Sequence, residues 1–134
     1  MILFVDDERR RMDSYVQDLI LSGHEIEFKS DVDSALEFFV DNQTQIKLLI
    51  LDIMMPTGES FDDDQTHYGL RTGIAFYQKI REQNPSLPTI IFTNVSDENL
   101  AEEISRGSNV LFCQKDNFLP FELEKEVRKI LNLE

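Results

Sequence analysis

Five short apolar runs, each leading into a segment with helical periodicity, constrain this chain more than any other feature. The runs are "ILFV" (2–5), "HEIEFKS" (24–30), "IKLLILD" (46–52), "PTIIFT" (88–93) and "VLFCQ" (110–114). A strand covered on both faces reads as an unbroken apolar run, and the second run, which alternates, reads as a strand with one side less buried. Between the runs, Met12, Tyr15, Val16, Leu19 and Ile20 recur at helical spacing and stop near Gly23. Val32, Ala35, Leu36 and Phe39 form the next stripe, ended at Asp41-Asn42, and Ile74, Tyr77 and Ile80 form a third, ended at Asn84-Pro85. A fourth helix is expected from Ser96, as N-cap ahead of Asp97 and Glu98, to about Gly107. The last helix covers 119–133, with Phe121, Leu123, Val127, Ile130 and Leu131 available for the core. Strand and helix alternating in this way predict a parallel sheet with helices on both faces, a three-layer α/β sandwich.

The chain has 134 residues, enough for one domain with a real core and too few for two. Its net charge of −13 argues against direct contact with nucleic acid or an anionic membrane, both of which reward clustered Lys and Arg. The apolar runs fall short of a membrane span, no signal pattern opens the chain, and the single cysteine excludes an internal disulfide. The expectation is therefore a cytoplasmic globular domain.

In a parallel sheet, ligands bind outside the carboxyl ends of the strands. The first run ends in Asp6 and Asp7, the third in Asp52 and the fourth in Thr93, and the fifth gives way to Lys115. Three carboxylates gathered at one edge repel one another and call for a cation; hard oxygen ligands with room for water suit Mg²⁺, with Mn²⁺ as an alternative. A hydroxyl and an ammonium beside them are what holds an anionic phosphoryl group. An aspartate can attack phosphorus to give an aspartyl-phosphate. Taken singly, each residue has a plainer reading: a turn or cap for Asp6-Asp7, a strand end for Thr93, a solvated amine for Lys115, core for Phe112, and a small buried hydrophobe for Cys113. His24 and His67 stand isolated from other candidate ligands. It is the joint placement at successive strand ends that points to phosphoryl chemistry.

The segments "FVDDE" (4–8), "LLILDIMMP" (48–56), "IIFTN" (90–94) and "FCQK" (112–115) together resemble the receiver domains of two-component response regulators. The resemblance runs in order along 1–134 as one receiver domain, apart from an insertion at about 57–72. It implies a flavodoxin-like (βα)₅ fold with a five-stranded sheet of order 2-1-3-4-5. It further implies Asp52 as phosphoacceptor, Asp7 as a direct Mg²⁺ ligand, Asp6 supporting the metal largely through water, and the Met54 carbonyl completing the ligands with Asp52. Thr93 would be the switch hydroxyl, Lys115 the phosphate-pairing amine, and Phe112 the switch aromatic. The implied partner is a histidine kinase or histidine phosphotransfer protein, and the domain would catalyse its own phosphorylation and dephosphorylation. Phosphorylation would favour a homodimer or another partner through the face of the helix at 96–107, the strand at 110–114 and the last helix. The alternatives are a receiver-like interaction module that works without phosphorylation, and an aspartate-nucleophile phosphatase. The latter needs an acid shortly after the nucleophile, where this chain has Met54.

The chain departs from the family pattern in several places. Receiver domains have a much shorter loop between the positions of Pro56 and Gly73; the insertion here carries "ESFDDDQTHYGLR" and reads as a surface loop or as a lid or partner element. Asp116 stands where a proline commonly follows the lysine, so a trans bond or a locally altered loop is expected. Asn94 is larger than the usual small residue after Thr93. Met54 and Val95 occupy the positions that tune phosphoryl lifetime, and neither holds a water by hydrogen bonds, which predicts slow self-hydrolysis.

Overall fold

The computed structural model describes residues 1–95, 99, 102, 103 and 109–133. Strands β1 (Ile2–Val5), β2 (Ile26–Lys29), β3 (Leu48–Leu51), β4 (Thr89–Thr93) and β5 (Val110–Gln114) form one sheet in the order β2-β1-β3-β4-β5, with every neighbouring pair parallel. The helices are α1 (Arg9–Leu21), α2 (Val32–Asp41), α3 (Asp63–Thr66), α4 (Thr72–Gln83) and α5 (Pro120–Ile130). The helix expected over 96–107 lies outside the described residues, save for Asn99, Glu102 and Glu103, which are helical.

The period of two along each strand divides the core into two layers. Leu3, Val5, Leu49, Leu51 and Ile91 pack with Val32, Ala35 and Phe39 of α2 and with Ile74, Phe76 and Ile80 of α4. Their neighbours Ile2, Phe4, Leu48, Ile50, Ile90 and Phe92 pack on the other side with Met12, Val16 and Leu19 of α1 and Leu123 and Val127 of α5. β1, β3 and β4 are buried along their whole length, whereas β2, at one edge of the sheet, is half-buried at every position, without the difference between faces that its alternating sequence predicts. Two expected core residues are exposed. Phe121 lies two positions, about 200° of helix, from Leu123, so α5 cannot bury both. Ile20 lies about 100° from Leu19 and likewise turns outward.

The insertion is an ordered element rather than a plain loop. Phe61 anchors it in the core, and α3 sits within it behind a reciprocal cap: Gln65 N donates to Asp62 Oδ1 at 2.7 Å, and Asp62 N donates to Gln65 Oε1 at 3.0 Å. Asp63 and Asp64 occupy the first turn, where the helix dipole favours acids. Asp33 of α2 ties down the front of the segment, accepting from Glu59 N and Ser60 N at 2.8 Å each. Hydrogen bonds from Ser60 and Glu59 hold the Asp33 carboxyl below its ordinary range. The rear is fixed by Met55 N donating to the Gly69 carbonyl at 3.2 Å and by the buried Thr72 hydroxyl donating to the Met55 carbonyl.

Gly73 follows directly, and here the helix α4 crosses the end of β3 at backbone distance. A β-carbon on Gly73 would stand 1.9 Å from the Asp52 carbonyl oxygen. Gly23, at φ +96, has nothing within 4 Å of the same position. The Gly73→Ala variant is therefore expected to lose about 3 kcal/mol or more through overpacking. Gly23→Ala should lose about 1–2 kcal/mol from the left-handed backbone alone. Urea unfolding of the two variants checks this; equal losses would contradict the close approach at Asp52.

Candidate phosphoryl and metal site

The strand register builds the site. Val5 pairs with Leu51 across β1 and β3, so Asp6 and Asp52 emerge side by side one residue later. Thr93 pairs with Gln114 across β4 and β5, so Lys115 follows one position beyond Thr93. Asp6 is fully buried and Asp52 is 7% exposed. Asp6 N donates to the Lys29 carbonyl at 3.1 Å and Asp52 N to the Val5 carbonyl at 3.1 Å, which fixes both Cα positions.

The side chains are held as closely. Asp6 Oδ1 accepts from Glu8 N at 2.8 Å at the start of α1, and Asp52 Oδ1 accepts from Ile53 N at 2.8 Å. Lys115 Nζ lies 2.7 Å from Asp6 Oδ2 and 3.0 Å from Asp52 Oδ2, a buried ammonium between two buried carboxylates. Burial disfavours the Lys115 charge, but the contact with Asp6 and the charges of Asp52 and Asp6 outweigh it and raise the amine above its usual range. Burial raises the Asp6 carboxyl in spite of Lys115 and Glu8 N. Asp7, exposed beside them, is raised by partial desolvation and by the Asp52 charge.

Asp6, Asp7 and Asp52 present oxygens within 4.8 Å of one another. That donor set fits Mg²⁺: three hard carboxylate oxygens, two buried and one open to solvent, leave further positions for water or a ligand. A cleft of about 380 Å³ opens onto Asp52 of this group, lined among others by Tyr15, Met54, Asn94, Val95, Asp116 and the predicted residues Thr93 and Lys115. Thr93 is buried, its hydroxyl accepting from Val95 N at 3.3 Å. Met54 is half-exposed at the mouth. Phe112 is partly buried against the α2 and α4 layer. The Lys115–Asp116 bond is trans, as expected for a non-prolyl pair. Cys113 is buried, and burial pushes its thiol up to about 12, which fits a structural role.

A second cleft, lined by Met54, His67, Leu70, Arg71, Val95, Asn99 and Glu103, shares Met54 and Val95 with the first. The insertion thus borders the site and does not cover Asp52. His24 is not isolated: its Nε2 lies 3.4 Å from Glu124 Oε1, and Glu124 is in turn paired with Arg128 at 2.7 Å.

The sequence profile described as "Response regulator receiver domain" matches residues 2–127. The chain belongs to this family. Among solved structures, the receiver domain of NtrX from Brucella abortus is 28% identical over the whole of both chains, with a TM-score of 0.78. A receiver domain protein (CheY-like) from Methanospirillum hungatei is 23% identical, covering 98% of this chain and 92% of that one, with a TM-score of 0.74. The structure of a CheX–CheY complex with BeF₃ and Mg from Borrelia burgdorferi aligns at 20% identity over 97% of this chain and 87% of that one, with a TM-score of 0.77. No curated protein matched the sequence. The receiver family's CheY-like α/β fold accounts for the sheet order, and no described helix is long and apolar enough to cross a membrane.

The charge surplus of this receiver site has a measurable consequence. A carboxyl raised in the fold binds its proton more tightly there than in the unfolded chain, so it favours folding at low pH and loses that contribution as pH rises through the raised value. With divalent cations chelated, Asp7→Asn should therefore stabilise the protein near pH 7. The gain should stay below ~1 kcal/mol, because solvent screens so exposed a side chain. It should vanish as pH falls below the ordinary aspartate range. Urea titrations at neutral and acid pH measure both; a variant less stable than wild type at neutral pH contradicts the prediction.

Proposed function

We propose that this receiver domain accepts a phosphoryl group on Asp52, with Mg²⁺, from a histidine kinase or histidine phosphotransfer protein, and that the product engages protein partners differently. The observation that carries the reading is the convergence of buried Asp52 with Asp6, Asp7 and Lys115 at an open cleft. An oxygen of Asp52 attacks phosphorus, the new O–P bond forms, and the donor's P–N bond breaks with its electron pair leaving on the imidazole. Asp6, Asp7, Asp52 and the Met54 carbonyl would hold Mg²⁺, which when bound neutralises charge on the transferring group. Lys115 donates a charge-assisted hydrogen bond to a phosphoryl oxygen. Thr93 donates its hydroxyl to another, and its shift makes room for Phe112 to turn further inward. The responding face includes β5 and α5 and engages a second copy or another partner on phosphorylation, and the acidity of the sequence "SDENLAEEIS" suits a partner with a basic surface.

Incubation with Mg²⁺ and a small phosphodonor such as phosphoramidate should add the mass of one phosphoryl group to wild type and none to Asp52→Asn. Absence of the adduct from wild type, also with the cognate kinase, would favour the phosphorylation-independent module. Once formed, the adduct is expected to persist for minutes or longer, because Met54 and Val95 cannot hold an attacking water. Decay within seconds after donor removal would contradict that assignment.

A further inference from the structure

Lys115 needs a backbone that does not drift, because its ammonium must reach two carboxylates at once. It opens a single 3-10 turn, Lys115–Asn117, and the next residue is Asp116, so no ring stiffens the chain there. Apart from the ion pairs of Lys115 itself, the hydrogen bonds of the turn are mostly local. Phe118 N donates to the Lys115 carbonyl at 3.2 Å, and Leu119 N to Glu122 Oε1 at 2.9 Å. One bond crosses the molecule: Tyr15 Oη, on α1, donates to the Phe118 carbonyl at 2.6 Å. The Tyr15 ring is itself fixed edge-on against Phe92, with centroids 5.0 Å apart, and Phe92 immediately precedes Thr93. Partial burial and the Asp116 charge raise the Tyr15 phenol, so it stays protonated and remains a donor at neutral pH. Tyr15 also lines the same cleft as Lys115 and Asp116.

We propose that Tyr15 is a positioning residue for Lys115: its hydrogen bond to the Phe118 carbonyl fixes the end of the turn that Lys115 begins, and so sets the ammonium between Asp6 and Asp52. The effect on phosphoryl transfer rests on the function proposed above; the placement of the ammonium does not. Nothing in the local sequence supplies this anchor, since donor and acceptor are 103 residues apart.

Tyr15→Phe removes the hydroxyl and keeps the ring against Phe92, so the fold should survive. The first readout is the ¹⁵N-detected side-chain ammonium signal of Lys115, assigned by its loss in Lys115→Arg. Wild type should give a signal protected from water exchange, and Tyr15→Phe should broaden or abolish it. An unchanged signal in Tyr15→Phe, or no protected signal in wild type, overturns the proposal. The second readout is phosphorylation by phosphoramidate with Mg²⁺. Tyr15→Phe should slow it about three- to tenfold, the range that one hydrogen bond of ordinary net strength commands. The same substitution in a Lys115→Met background should change the rate no further. An equal additional loss in that background overturns the proposal. If wild type takes up no phosphoryl group while the ammonium signal responds to Tyr15→Phe, the positioning role is supported and the functional reading fails.

Discussion

The buried ion pairs of Lys115 with Asp6 and Asp52 are the interaction on which this end of the molecule depends. Two acids leave adjacent strands at the same level because a parallel register forces them to, and the sheet buries both. Left alone they would repel and would each carry a desolvation penalty of several kcal/mol in order of magnitude. The ammonium offsets both costs, but only because the β5–α5 turn brings it within 3.0 Å of each carboxylate. Substituting Lys115 alone would leave two uncompensated charges, which is the costliest way to break such a group. The arrangement is thus better understood as a prepared polar site than as a source of stability.

The acids of the insertion serve another purpose. Asp62 caps α3, Asp63 and Asp64 lie in its first turn, and Glu59 offers its backbone N–H to Asp33. These groups are engaged by local backbone and helix dipole and are not assembled as ligands. Among the described residues, the acidic group suited to a metal remains Asp6, Asp7 and Asp52. The long connection therefore extends the rim of the site, through His67, Leu70 and Arg71, without adding charge to its centre.

Much of this was legible in the sequence because two periodicities carry it. Continuous apolar runs marked β1, β3 and β4, the alternating run marked β2, and the polar residues at the ends of the first, third, fourth and fifth runs marked the site edge. The cap of α3 is also legible in principle: Asp62 followed by Gln65 is a capping-box pattern, although no apolar stripe follows it to mark a helix. Other features were not legible. Phe121 and Ile20 are apolar, and only the packed helix decides that Leu123 and Leu19 take the inward positions. His24 finds Glu124 across a separation of 100 residues, and Tyr15 bonds to a backbone carbonyl that has no sequence signature.

Charge accounting links the site to the proposed switch. Three carboxylates against one ammonium leave two negative charges in excess. A divalent cation bound there, as the proposed function requires, would cancel that excess. In the proposed reaction a phosphoryl group added to Asp52 would restore a surplus of anionic oxygens. Thr93 and Lys115 border that cleft and carry donors that can answer it. Lys115 already has a high charge density around it and a backbone braced from α1, whereas the Thr93 hydroxyl accepts from Val95 N at 3.3 Å, a long bond and easily exchanged. Of the two, Thr93 is therefore the group with the lower cost of movement, and in the proposed switch Lys115 would be the fixed point against which it moves.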